Sequence, residues 1–159
     1  MGTHGWDGDE EHPDQNFTLI LLDSLGQMEM QRFYSLDSIE VNDDVNGIVQ
    51  MPDSGFVLVG DISGAGGMIL RTNAEGDVVW WRRYGNVVLG FHDCVLADDG
   101  GIVLTTGSPI GIKLDADSGD QIWWQDYSVE RNGILWDVIR TRDNGFLFIG
   151  RISAIGAGG

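Results

Sequence analysis

The sequence predicts an all-β protein, and three observations carry the prediction. Glycine makes up 24 of 159 residues, about twice the usual share of roughly 7%, so the chain has many turns. Two kinds of hairpin-like segment alternate along it. Between the glycines no apolar 3.6-residue periodicity survives, so no segment reads as helix.

The first kind of segment occurs three times: "LILLDSLGQMEMQRFYS" (Leu19 to Ser35), "MILRTNAEGDVVWWRRYG" (Met68 to Gly85) and "IKLDADSGDQIWWQDYS" (Ile112 to Ser128). Each is a short apolar strand, a turn with glycine, then a strand ending in tyrosine. Gly26, Gly76 and Gly119 are spaced 50 and 43 residues apart, and Tyr34, Tyr84 and Tyr127 keep the same spacings. The second kind is "IVQMPDSGFVLVG" (Ile48 to Gly60), "CVLADDGGIVLTTG" (Cys94 to Gly107) and "VIRTRDNGFLFIG" (Val138 to Gly150). Asp-Ser-Gly, Asp-Asp-Gly and Asp-Asn-Gly are hairpin signals, because glycine accepts the positive φ that tight turns need.

Two hairpins per repeat give four short strands every 43 to 50 residues, which is the signature of β-propeller blades. The predicted fold is therefore a set of blades: three four-stranded antiparallel repeats, forming a fragment or a ring completed by oligomerisation. The whole chain, 1–159, reads as one complete or partial propeller domain. Its repeats run approximately over 2–59, 60–106 and 107–149, with the start of a fourth at 150–159. Runs such as "FVLV" and "FLFI" are apolar at every position, as expected of strands covered on both faces. Three repeats fall short of the four to eight blades of a closed ring. The chain thus reads either as a piece of a longer propeller or as a short chain that assembles.

Adjacent tryptophans put one ring towards each face of a strand. Trp80, Trp81, Trp123 and Trp124, with Trp136, are read as inter-blade packing, since large rings fill the gap between twisted sheets. Stacking on a ligand is the alternative. Asp115, Asp117 and Asp120 alternate through a turn and raise the question of calcium. The matching turns are "TNAEGD" and "DSLGQ", so the glycine repeats and the acids do not. Turn chemistry accounts for the segment more simply.

The formal net charge is −16, from 25 acids against nine Lys and Arg. Such a surface repels phosphate backbones and anionic lipid, which argues against nucleic-acid and membrane-surface partners. It suits cation binding or solubility in a salty or extracellular medium. A single cysteine, Cys94, rules out an internal disulfide. No apolar run reaches the length of a membrane span, and the first residues have neither a basic nor an apolar region of a signal peptide.

"IKLDADSGDQIWW" resembles the tryptophan-docking motif of quinoprotein-type (PQQ-like) β-propellers, roughly Ala-x-Asp-x-x-Thr-Gly-x-x-x-Trp. Leu114 to Trp123 or Trp124 carry it, with Ser118 in place of the threonine. The alternation of the two hairpins is similar to that of large secreted propeller-repeat proteins of unassigned function. The resemblance spans Phe17 to Gly150. It implies the fold, a packing role for the tryptophans, and a place outside the cell or in the cell envelope. It implies no catalytic residue and no bound quinone, because the residues that hold quinone and calcium in those enzymes are spread over a complete ring.

Two stretches are candidate sites. "GWDGDEEHPDQN" holds Asp7, Asp9, Glu10, Glu11 and Asp14, enough carboxylates for a Ca²⁺ site, though without EF-hand spacing. A solvated acidic loop is the competing reading. "FHDCVL" puts His92 and Cys94 on one face of a strand and Asp93 on the other. Cys94 aligns with Val138 and His92 with Trp136, so a Cys-His pair is not expected. Asp93 aligns with Asp137, and that repetition argues for a structural hydrogen bond closing the blade, with a position on the rim of the central channel as the functional alternative. No cofactor other than calcium is indicated.

The expected function is a non-enzymatic propeller module, a scaffold or recognition surface for a protein or glycan. A segment of a quinoprotein-like or hydrolytic propeller enzyme is the first alternative. A lectin-like oligomer, whose rings stack on sugars, is the second. A homo-oligomer that closes the ring is compatible with each.

Overall fold

The computed structural model describes residues 17–34, 43–62, 66–85, 89–128 and 131–154. They form twelve strands: β1 (Phe17–Leu22), β2 (Met28–Tyr34), β3 (Asp43–Gln50), β4 (Phe56–Ile62), β5 (Gly66–Thr72), β6 (Val78–Tyr84), β7 (Phe91–Leu96), β8 (Ile102–Thr106), β9 (Ile110–Leu114), β10 (Gln121–Asp126), β11 (Arg131–Arg140) and β12 (Phe146–Ala154). Every pairing is antiparallel. The strands make two four-stranded sheets, β3-β4-β5-β6 and β7-β8-β9-β10, and two two-stranded sheets, β1-β2 and β11-β12. Among the described residues no helix is long and apolar enough to cross a membrane.

The sheets group the hairpins differently from the sequence repeats. A bound at 59/60 falls inside β4, and each full sheet joins a hairpin of the second kind to the following one of the first kind. The two-stranded sheets are consequently half-units. β1-β2 has the register of β5-β6: Phe17 opposes Tyr34 as Gly67 opposes Tyr84. β11-β12 has the register of β3-β4: Arg140 opposes Phe146 as Gln50 opposes Phe56.

The turns differ in one respect from the expectation. At Gly26, Gly76 and Gly119 the glycine itself is left-handed, with φ of 78°, 79° and 72°. Of the Asp-x-Gly hairpins, Asp-Asp-Gly keeps that conformation on its glycine, Gly100 (83°), whereas in the other two Ser54 (68°) and Asn144 (65°), not the following glycines, take it. Gly55 is there for space instead, because a Cβ would run into the Thr72 carbonyl and the Arg71 guanidinium.

Apolar side chains meet between sheets, in two clusters. Phe17, Leu19 and Tyr34 of the first sheet pack on Phe56, Leu58 and Leu70 of the second. Val57, Val59 and Ile69, on the opposite face of that second sheet, pack on Phe91, Leu104 and Ile112 of the third. β4 therefore feeds both cores with alternate residues, which is why its first four residues, Phe56 to Val59, are all apolar. Each fully buried side chain of this size contributes about 1.5–3 kcal/mol.

Polar contacts repeat between the layers as well. The Tyr34 hydroxyl donates to the Gly76 carbonyl and the Tyr84 hydroxyl to the Gly119 carbonyl, each at 2.6 Å. Arg82 and Asp120 pair at 2.9 Å, and Arg32 and Asp77 at 3.9 Å. Tyr84→Phe keeps the ring and leaves the Gly119 carbonyl without this donor. It is expected to cost about 1 kcal/mol, read as a lower urea midpoint at unchanged slope.

Candidate functional site

β3, β7 and β11 each break register at the same place. The shifts lie between Val45 and Gly47, Phe91 and Cys94, and Leu135 and Asp137. Bulges re-aim side chains and are frequent beside active sites. Here the re-aimed groups tie one sheet to the next. Asn46 Nδ2 donates to Asp61 Oδ1 at 2.9 Å and to the Phe91 carbonyl at 3.0 Å. Asp93 Oδ2 accepts the Val138 N–H at 3.1 Å.

Burial holds the Asp93 carboxyl above the usual range, and the neighbouring Asp137 adds to the effect, against the N–H groups of Val138 and Cys94 that favour the anion. Burial also pushes the Cys94 thiol up, so it offers no thiolate at neutral pH. The raised Asp93 acid favours the folded state fully below its unfolded pKa, near 3.8. That contribution is lost as pH rises through the higher folded value. Asp93→Asn removes this loss while keeping an acceptor for Val138. The variant is expected to gain stability relative to the parent at pH 7 and not at pH 3.5, checked by urea denaturation at both.

A groove of about 260 Å³ opens where the hairpin tips of the two full sheets meet, lined by Pro52, Asp53, Arg71, Asp99, Asp115 and Asp117 among others. Most of its charges have local work. Arg71 pairs with Asp53, and Lys113 with Asp99 at 2.6 Å; the two cations are 6% and 10% exposed. Asp53 is held below the ordinary carboxylate range by the Gly55 N–H and by Arg71, and Asp99 by Lys113 and the Gly101 N–H. Asp115 Oδ1 accepts from the Ser118 N–H at 2.8 Å and from the Asp117 N–H at 3.1 Å, and these bonds lower it too. Asp117 is the acid of this rim whose carboxylate enters none of these bonds. Among the described residues no three His, Cys, Asp or Glu side chains are placed to hold a metal ion.

Arg71 and Lys113 are the site residues that sequence reasoning missed. The signal was a cation near the end of an otherwise apolar strand, in "MILRT" and "IKLD", with an aspartate at the matching tip of the preceding hairpin. Each cation opposes a residue of the neighbouring strand, Val57 and Val103 respectively.

The structure separates the paired tryptophans by exposure. Trp80 and Trp123 are half-buried, whereas Trp81, Trp124 and Trp136 are 36%, 41% and 48% exposed. Trp80 lies over Gly119 of the next sheet, where an added Cβ would meet the ring at 3.1 Å. Its buried Nε1 has no hydrogen-bond partner among the described residues. Asp7, Asp9, Glu10, Glu11 and Asp14 lie outside the described residues.

No family model and no curated protein matches the chain. A solved structure does: the crystal structure of a protein of unknown function from Bacteroides caccae at 1.35 Å resolution. It is similar with a TM-score of 0.58 and 10% identity, over 86% of this chain and 49% of that one. The chain thus spans about half the length of that protein. At this identity the likeness concerns the fold alone.

Proposed function

We propose that the chain forms β-propeller blades and serves as a non-enzymatic recognition or scaffold module for a protein or glycan, outside the cell or in the cell envelope. The observation that carries this reading is the state of the groove between the hairpin tips. It straddles two rigid sheets, where binding loops tend to sit. Its carboxylates, Asp117 apart, are engaged in ion pairs and turn bonds, which is how a shaped polar surface is built and not how an acid–base pair is poised. A net charge of −16 disfavours nucleic acid and anionic lipid as partners. Calcium is a proposed ligand only of the N-terminal carboxylates.

The test combines a glycan array and a peptide array with a panel of nitrophenyl esters, phosphates and glycosides. Binding without turnover is expected, and Pro52→Trp, which fills the groove, is expected to weaken the binding at least tenfold. Turnover that disappears in Asp93→Asn replaces this reading with that of a hydrolytic propeller segment. Binding to sugars that survives Pro52→Trp and is lost in Trp124→Ala favours the lectin-like reading.

A further inference from the structure

The two half-sheets are complementary, and their unsatisfied features match one another. In the full sheets β4 pairs with β5 and β8 with β9. β12 and β1 occupy the corresponding positions, but among the described residues neither carries a strand on that edge. We propose that a second copy of this chain completes the sheet, with β12 of one copy paired to β1 of the other. This rests on the propeller reading above.

The register follows from the repeat. Phe56 opposes Thr72 and Leu58 opposes Leu70. The equivalent pairs are Phe146 with Leu22 and Phe148 with Ile20. An exposed strand edge is otherwise a template for aggregation.

The apolar faces match in the same way. In the second sheet Val57 and Val59 are fully buried against the third. Their counterparts in the last sheet, Leu147 and Ile149, are 57% and 64% exposed, and with Ile139 and Asp137 they border an apolar groove of about 220 Å³. At the other end of the chain a groove of about 270 Å³ is bordered by Ile20, Val45, Ile48 and Leu58. Ile48 and Leu58 correspond to Cys94 and Leu104, the residues on which the second sheet packs. Completing the first sheet with β11 and β12 of a second copy brings the two grooves together.

Side chains at the junction agree. Tyr34 and Tyr84 each reach the turn glycine of the next sheet. Tyr127 is 40% exposed, and the turn glycine it would reach is Gly26 of the second copy, around which an added Cβ finds nothing within 4 Å. The repeated ion pair changes at this junction on both sides at once. Arg32 and Arg82 correspond to Gln125, and Asp77 and Asp120 correspond to Gln27. The Arg–Asp pair thus becomes a Gln–Gln pair, whose amides can bond to each other without charge. One repeated contact is not reproduced. Leu21 stands where Arg71 and Lys113 stand, and Asp143, the counterpart of Asp53, is bonded to Thr141 instead.

The described strands of two copies supply six four-stranded sheets, within the four to eight of closed propellers, whereas those of one copy supply three. Like-charge repulsion between copies of net charge −16 makes the association salt-dependent.

The test is the absolute mass of the full chain by light scattering, at about 0.15 M and about 1 M KCl, the latter screening charges beyond about 3 Å. Oxidative cross-linking of Ile20→Cys/Phe148→Cys accompanies it. A discrete dimer is expected at high salt, with a covalent dimer on a non-reducing gel. The variant one residue out of register, Ile20→Cys/Ile149→Cys, is expected to cross-link at least tenfold less. Tyr127→Phe is expected to raise the dimer dissociation constant roughly tenfold. Gln27→Asp/Gln125→Asp should split the dimer, and Gln27→Asp/Gln125→Arg should tighten it.

A monomer at both salt concentrations, or a dimer that does not cross-link through residues 20 and 148, overturns the proposal. If Tyr84→Phe still destabilises such a monomer, the layered propeller reading stands and only the self-completion falls. If Tyr84→Phe is neutral as well, the propeller reading falls with it.

Discussion

Phe91→Ala is expected to destabilise the protein by about 3–5 kcal/mol, the range for deleting a large ring from a closed core. Phe91 is fully buried and sits where three supports converge. Its ring meets Tyr84 edge-on at 5.5 Å and 72°. It also covers Gly67, where an added Cβ would reach the ring at 2.5 Å. Its carbonyl accepts from Asn46 across the sheets. Truncation therefore opens a cavity between the second and third sheets and loosens the neighbour that holds Tyr84 to Gly119. Urea denaturation at fixed protein concentration measures the cost. A loss below about 1.5 kcal/mol, typical of a site that can collapse, would mean that the two sheets are not packed as described. Phe91→Leu keeps most of the volume and is expected to recover more than half of the loss.

Gly60→Ala is the second large effect, at about 3 kcal/mol, the upper end of ordinary overpacking. A Cβ at Gly60 would fall onto the carbonyl oxygen of Asp44 in the paired strand. The bulge after Val45 swings that carbonyl over the glycine, and a main-chain oxygen cannot move aside as a long side chain can. The same collision recurs at Gly150 with the Ile134 carbonyl, again beside a bulge. Gly145→Ala is the control. A Cβ there meets only the Thr141 hydroxyl at 3.0 Å and the Asp143 carboxylate at 3.5 Å, so a change under about 1 kcal/mol is expected. Equal costs at Gly60 and Gly145 would point to lost chain flexibility instead of the collision.

The strands were legible because their signals are local. Asp-x-Gly and Gly turns punctuate apolar runs, and the runs repeat, so strand number and antiparallel hairpins follow without tertiary information. The packing partners of β4 were legible in part: an all-apolar run is expected to be covered on both faces, and Phe56 to Val59 of β4 are, whereas Leu147 and Ile149 of the equally apolar "FLFI" in β12 are 57% and 64% exposed. The sheet bounds were not, because two alternating hairpins can be grouped in either phase, and only pairing across the longer connections selects one. Asp93 was found by its alignment with Asp137, yet its bond to Val138 spans 45 residues, beyond any periodicity. Arg71 and Lys113 escaped because a cation in an apolar strand has no meaning until the aspartate that neutralises it is folded beside it.

By itself the sequence determined that the chain is all-β, that its hairpins come in two alternating kinds, and that its surface is strongly acidic. These depend on turn chemistry, hydrophobic pattern and composition, which act over a few residues or over the whole chain at once. Tertiary structure alone decided which hairpins share a sheet, which carboxylates are occupied by ion pairs, and that the first and last hairpins stand as two-stranded sheets. Those features depend on register between strands far apart in the chain. Register is set when side chains from both faces of a sheet are buried together, and no single segment contains that information.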